Sequence, residues 1–306
     1  MKKLLPLLFV CLLLTGCAPK AQATVYRMNT VMTMDIQGPD AEAALQAVDA
    51  LIAGLENTWS ATRTDSVLWS LNSGEAVDLT PEQAGLLDRV HELSARTGGA
   101  FDPELLALSR AWGFGTENQA VPSPETIAAA LTEDKLDLGG ALKGYAGQEA
   151  AALLDTLDVD RALLNLGGNI QTYGEKADGT PWRVGIQNPA GGDYLGIVSV
   201  TGTAAVVTSG DYQRYFEADG KTYHHILDPK TGCPADSGLR SVTVICRDGL
   251  TADCLSTALF VMGLEEAADF WRASGDFEAV FITADGKIHA TAGAALSGCE
   301  YEVIVK

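Results

Sequence analysis

Histidine is scarce in this 306-residue chain, four in all, and basic residues are outnumbered by acidic ones, 21 Lys and Arg against 40 Asp and Glu, for a formal net charge of −19. A field of that sign repels phosphate backbones at long range, which excludes nucleic acid as an expected partner, favours solubility, and requires any anionic ligand to find a cation close by. The apolar run at residues 4–14 stops well short of the about 20 residues that a membrane-spanning helix needs. The six cysteines fall at spacings that match neither a CxxC metal site nor a dense disulfide scaffold. Neither GxGxxG nor GxxxxGK[ST] occurs at the glycine turns, so the standard nucleotide fingerprints fail. There is no internal repeat, no low-complexity segment and no linker that divides the chain; residues 113–124 and 188–193 are short enough to be surface loops.

What is present begins with a leader. Lys2 and Lys3 precede the apolar run, and small residues follow it around a cysteine, the order of a secretory signal. "LTGC", ending at Cys17, resembles the lipobox of bacterial lipoproteins, in which the signal is cut before the cysteine and that cysteine carries lipid. The expectation is a signal peptide at 1–16, a lipidated tether at 17–24 and one domain at 25–306, held at the outer face of the cytoplasmic membrane by a multi-acylated Cys17. Loss of the two lysines takes the formal charge from −19 to −21. Cys11 leaves with the leader, and Cys233, Cys246, Cys254 and Cys299 are expected to be free or buried.

"VYRMNTVMTMDI" alternates as a strand, and residues 41–59 carry apolar side chains at helical spacing after Asp40 as a cap. Thr80, Pro81 and Gln83 form the signature of a capped helix start, and that helix ends at Gly98 and Gly99. Further helices are expected at 141–157, 252–263 and 264–274. "ALLNLGG", "PWRVGIQ", "LGIVSVTGTAAVVTS", "LRSVTVIC", "EAVFITADGKIHA" and "YEVIVK" read as strands, several joined by short turns and therefore antiparallel. The class is α+β: a mixed or largely antiparallel β-sheet core flanked by helices.

Four stretches bear chemistry. In "DLGGALKGYAGQEAAALL", a short strand passes through Gly139 and Gly140 into a helix with Lys143 in its first turn, an arrangement that suits a phosphate, though a plain strand-to-helix turn reads equally well. "NLGGNIQTYG" is a second glycine turn, either a ligand approach or a simple hairpin. "TADCLSTALFVMG" puts Asp253 and Thr257 one turn apart, where carboxylate and hydroxyl both reach one hard cation. An aspartate capping its own helix before a buried threonine gives the same pattern, and for that stretch alone is the stronger reading. "YHHILDPKTG" holds half of all the histidines before a Pro-Gly turn. His224 and His225 point to opposite faces of a strand, so one at most faces a site, where an imidazole suits proton removal from a hydroxyl.

In this order the pieces resemble one family, the ApbE-like FAD:protein FMN transferases. "YRMNT" is similar to its MGT strand, "TGGAFDP" to TGGxFDP, "DLGGALKGYA" to DLGGIAKGY, "LLNLGGN" to NLGGD, "HHILDPKTGCPA" to HHIIDPxTGxP and "TADCLSTALFVMG" to ADALATAxFVMG. The resemblance implies an ApbE-like (T-fold-like) architecture and Mg²⁺-dependent transfer of FMN from FAD to a Thr or Ser hydroxyl of an acceptor protein, with AMP released. The implied acceptor is an extracytoplasmic flavoprotein such as an electron-transport subunit. By the same resemblance Asp253, Thr257 and the Gly140 carbonyl hold Mg²⁺, Lys143 meets the pyrophosphate, and Met28, Ala100, Phe101, Asp102, Asp137 and Leu227 line FAD. His225 is the implied general base and His224 is structural. Three positions depart: Asn29 for the glycine of MGT, Asn169 for the aspartate of NLGGD, and Thr62 where relatives carry a tyrosine stacking on the flavin nucleotide. Loss of such an aromatic platform is worth roughly 1–3 kcal/mol, so weaker FAD binding is expected. An FAD pyrophosphatase using water, and a non-catalytic FAD-binding lipoprotein, remain as alternatives from the same residues.

Overall fold

The computed structural model describes residues 19–306. Cys17, the leader and the first tether residues therefore lie outside the described residues. In chain order the elements are β1 (Lys20–Arg27), β2 (Thr30–Gln37), α1 (Ala41–Trp59), α2 (Val67–Asn72), α3 (Pro81–Arg96), α4 (Leu106–Trp112), α5 (Pro124–Ala130) and α6 (Leu142–Leu154). They continue as β3 (Arg161–Leu166), β4 (Asn169–Tyr173), β5 (Trp182–Gln187), β6 (Tyr194–Val200), β7 (Ala204–Gly210), β8 (Tyr215–Ala218), β9 (Lys221–His224) and β10 (Leu239–Cys246). The chain closes with α7 (Gly249–Ala273), β11 (Phe277–Thr283), β12 (Ile288–Thr291), β13 (Leu296–Ser297) and β14 (Glu302–Ile304).

Nine strands form the main sheet in the order β1-β2-β3-β4-β7-β10-β11-β12-β14, antiparallel throughout except for the parallel pair β12 and β14. A three-stranded sheet (β13-β6-β5) and the β8–β9 hairpin complete it. This is the α+β, largely antiparallel architecture expected from the sequence. The central strands are covered on both faces. Val207, Val242, Val244 and Phe281 pack under Leu255, Leu259 and Phe260 of α7, while the alternate residues Val206, Val280 and Ile282 meet Val198 and Val200 of the small sheet. Burial on two faces explains why these strands read as continuous apolar runs rather than alternation. At the other end, α1 and α6 cover β1, β2 and β3 through Val48, Ile52, Ala146, Ala150, Met32, Met34 and Leu164.

Several boundaries differ from the expectations. The stretch expected as tether is strand from Lys20 onward, paired residue by residue with β2. "VYRMNTVMTMDI" is the hairpin of β1 and β2, turned by Met28 and Asn29 at φ 48° and 58°. The long run before residue 210 splits at Gly202 into β6 and β7, which belong to different sheets. Residues 136–138 are not a strand: the Asn72 carboxamide pairs with the Leu136 backbone in both directions (2.7 and 2.9 Å), and the Asp137 N–H donates to Pro103 O. Asp40 does not cap α1 with its side chain; Oδ2 accepts instead from Asp158 N–H at 3.1 Å. α7 begins three residues earlier than expected, capped by Asp248 accepting from Thr251 N–H, and breaks at Gly263 (φ 79°), the boundary expected between two helices. The Thr80 capping box forms as expected, and Cys233, Cys246, Cys254 and Cys299 are all free thiols.

Candidate active site

The site is built where α6 crosses α7. A Cβ on Gly144 would lie 2.1 Å from Gly249 O and 2.6 Å from the Asp253 Cβ, and one on Gly249 would lie 2.4 Å from Gly144 O. Glycine at both positions lets the backbones touch, which brings the second turn of α7 against the first turn of α6. Asp253, 4% exposed, then accepts a hydrogen bond from Gly144 N–H at 2.8 Å through Oδ2. The carboxylate therefore sits on the N-terminus of a neighbouring helix, where the dipole favours negative charge, and does not cap its own. That position belongs to Asp248. Lys143 Nζ stands 3.9 Å from the same oxygen and donates to Gly139 O at 3.3 Å.

One turn along α7, Thr257 Oγ1 lies 3.4 Å from Ser209 Oγ, which pairs with Ser256 Oγ at 2.8 Å. A Cβ on Gly140 would stand in ordinary contact with Thr257 Oγ1 at 3.5 Å and Phe101 Cε2 at 3.4 Å, which places the glycine turn directly beside the hydroxyl. The turn itself is shaped by Asp137, whose Oδ1 accepts from Gly139 N–H at 2.9 Å. Facing it, residues 97–103 fold so that Thr97 Oγ1 accepts from Phe101 N–H and Asp102 Oδ1 from Glu104 N–H.

The two histidines separate as β9 ends. His224 Nε2 lies 3.0 Å from Ala235 O and its ring meets Phe260 edge-on, inside the core. His225 turns to the other side. Its backbone N–H and its Nδ1 both reach Arg214 O, at 3.0 and 3.2 Å. A carbonyl accepts only, so Nδ1 bears the proton and Nε2 keeps its lone pair. Burial, then the charges of Arg214, Lys143 and His224, push the His225 pKa down to about 3. The imidazole is neutral at ordinary pH.

A cavity of about 960 Å³ joins these pieces. Its walls include Ala100, Phe101, Asp102, Asp137, Gly140, Lys143, His225, Leu227, Asp253 and Thr257, ten of the twelve residues expected at the site within the folded domain. Met28 and Thr62 are not among them. Met28, at positive φ in its turn, donates its N–H to Glu56 Oε1 and packs inward between two core clusters; Thr62 is exposed, its hydroxyl on Ser60 Oγ. The sequence did not single out Arg214, Ser209, Tyr212, Gln213 or Phe114, which also line the cavity. Arg214 and Lys143 are the local cations that an anionic ligand needs in so acidic a chain.

Among the described residues no three His, Cys, Asp or Glu side chains converge as a metal centre. The hard oxygen donors that line the cavity together are the Asp253 carboxylate and the Thr257 hydroxyl, with the Gly140 turn beside them. Mg²⁺, which takes one or two carboxylates plus substrate phosphate and water, fits that set, whereas Zn²⁺ sites call for nitrogen or sulfur.

Fold and cleft together define an α+β protein whose cavity lies between a helix N-terminus that carries Lys143 and a helix that presents carboxylate and hydroxyl oxygens. The chain belongs to the ApbE family, whose profile matches residues 28–281. It is 35% identical over 292 residues to the FAD:protein FMN transferase of Treponema pallidum, covering 83% of this chain and 81% of that protein. The enzyme of the same name from Escherichia coli K12 is 31% identical over 324 residues, 92% of each chain. Among solved structures, the ApbE protein of Thermotoga maritima superposes with a TM-score of 0.81 at 32% identity, covering 88% of this chain and 96% of that one. The apo flavinyl transferase ApbE of Pseudomonas stutzeri gives 0.79 at 31% identity, covering 91% and 96%. The family and fold implied by the six motifs are thus those found.

Proposed function

We propose that this chain is an FAD:protein FMN transferase that moves FMN from FAD to a Thr or Ser hydroxyl of an acceptor protein and releases AMP. The observation that carries the reading is the convergence on one cavity of the Asp253 carboxylate, the Thr257 hydroxyl, the Gly140 turn, Lys143 and His225. The relatives' shared name supplies the chemistry to which that set is matched.

Asp253, Thr257 and the Gly140 carbonyl would hold Mg²⁺, which when bound neutralises charge on the pyrophosphate. Lys143, in the first turn of α6, meets the bridging diphosphate with its ammonium group, on the side of the helix dipole that favours negative charge. His225 Nε2 accepts the proton of the acceptor hydroxyl as that oxygen bonds to the FMN phosphorus; the P–O bond to the AMP phosphate breaks, and AMP leaves with the electron pair. In-line positioning and charge balance do most of this work. A bound diphosphate also offsets Lys143 and Arg214, two of the charges that depress the His225 pKa, and so raises its basicity when a base is needed. Lipid on Cys17 would place the domain at the extracytoplasmic face of the membrane, with a flavoprotein acceptor there.

The test is incubation of the chain with FAD and Mg²⁺, with and without a candidate acceptor domain, reading AMP by chromatography and the acceptor by mass spectrometry. AMP and an FMN adduct that both require the acceptor support transfer. AMP that ignores the acceptor shows a pyrophosphatase, and bound FAD with no AMP shows a storage protein.

A further inference from the structure

Thr62 offers no ring, and it stands exposed outside the cavity. A ring is nevertheless present, from another element. Gly113, in the left-handed conformation (φ 64°), ends α4 and folds the chain back, with so little room that a Cβ there would lie 2.8 Å from Asn118 O. The next residue, Phe114, is thereby laid over Trp112, ring centroids 5.7 Å apart and planes at 11°, with Phe216 tilted against it at 5.5 Å. Trp112 is 1% exposed and fixed by its Nε1–H donating to Gly232 O at 2.8 Å. Phe114 is only half-buried and lines the cavity, in one apolar cluster with Leu105 and Leu227.

We propose that Phe114 is the aromatic platform on which a planar heteroaromatic ring of the bound dinucleotide stacks, in place of the aromatic residue lacking at Thr62. The proposal rests on the reading of the cleft as an FAD site. The ring is already braced by Trp112, stacked on it, and by Phe216, tilted against it, so binding immobilises no free rotor. The apolar side chains clustered with it suit a flat ring better than a sugar or phosphate, and that cluster is distinct from the one formed by Leu142, Cys254 and Ala258, the chain neighbours of Lys143, Asp253 and Thr257. Leu227, two residues past His225, ties the platform to the segment that carries the base. Adenine and isoalloxazine share the chemistry that Phe114 recognises, and competition by the two halves tells them apart.

The experiment is equilibrium binding of FAD to the full chain without acceptor, followed by flavin fluorescence, for the wild type and for Phe114→Leu, Phe114→Met, Phe114→Tyr and Phe114→Trp, with Tm measured on each. Leu and Met keep apolar volume and lose the π-face; they are expected to weaken FAD binding roughly 5- to 100-fold, the range that one stacked ring provides. Tyr and Trp restore it. Competition with AMP and with FMN shows which half loses affinity in Phe114→Leu and so which ring stacks. Unchanged FAD affinity in Phe114→Leu overturns the proposal, as does a loss that Tyr and Trp fail to restore, or a fall in Tm with no separate fall in affinity. A wild-type chain that binds FAD while Phe114→Leu binds equally well refutes the platform alone; a wild type that binds no FAD, AMP or FMN refutes the reading of the cleft with it.

Discussion

Replacing Asp253 by Asn separates the charge of this carboxylate from its shape. The Asn carbonyl can still accept from Gly144 N–H, now 2.8 Å from Oδ2, so the link between α6 and α7 persists. What disappears is the attraction to Lys143 at 3.9 Å, whose gross value at an effective dielectric constant near 20 is about 4 kcal/mol. The desolvation penalty of a 4% exposed carboxylate disappears with it, and for buried pairs the two nearly cancel. Net stability of Asp253→Asn should therefore lie within about 1 kcal/mol of the wild type. Asp253→Ala differs, because it leaves Gly144 N–H buried without a partner, an added loss of about 1–3 kcal/mol. Transfer should fall in both variants by at least about 100-fold, the scale of losing one charge-stabilising group at a reacting phosphate. Urea unfolding and an FMN-transfer assay on the same preparations read the two effects apart. Equal stability of the Ala and Asn variants would refute the bridging role, and transfer by Asp253→Asn at the wild-type rate would refute the cation-holding one.

Two further outcomes follow from the same geometry. Gly144→Ala must push α6 and α7 apart, since its Cβ would meet Gly249 O at 2.1 Å; overpacking of this kind is worth about 1–3 kcal/mol or more, read as a lower Tm together with slower transfer. A fully stable and active Gly144→Ala would show that the crossing does not set the site. His225 is held neutral, its folded pKa of about 3 lying below the ordinary 6.5, so the unfolded chain takes up a proton that the folded chain refuses as pH falls between those values. Stability present above pH 6.5 is thus lost on acidification, and His225→Gln should flatten the fall in Tm from pH 6.5 to pH 4, leaving the smaller contribution of His224, whose pKa burial also lowers; an unchanged Tm profile counts against the buried neutral imidazole.

Much of the site was legible because its residues sit in local motifs. The glycine turn before Lys143, the one-turn spacing of Asp253 and Thr257, and the paired histidines are each contiguous, and the cavity gathers them. What joins them was not legible: nothing local marks Gly144 and Gly249, 105 positions apart, as the point where two helices touch. The β1–β2 hairpin escaped because its turn places Met28 and Asn29, neither a glycine, at positive φ, so the two strands read as one. The β8–β9 hairpin was signalled and unread: Asp219-Gly220, both at positive φ, is the dipeptide that favours a two-residue turn. Phe114 lay in a stretch that reads as an ordinary surface loop, and only the fold of Gly113 over Trp112 brings it to the cavity.

The oxygen-bearing helix is also the most deeply anchored one. α7 lies on β7, β10 and β11 through Leu255, Leu259 and Phe260 while touching α6 backbone to backbone, so it is held from two sides. On the opposite bank the β1–β2 turn meets the approach to β8 through a long hydrogen bond, Arg214 Nη2 to Asn29 O at 3.4 Å. The bank that carries Asp253 and Thr257 is an anvil, held from beneath by the sheet and from the side by α6.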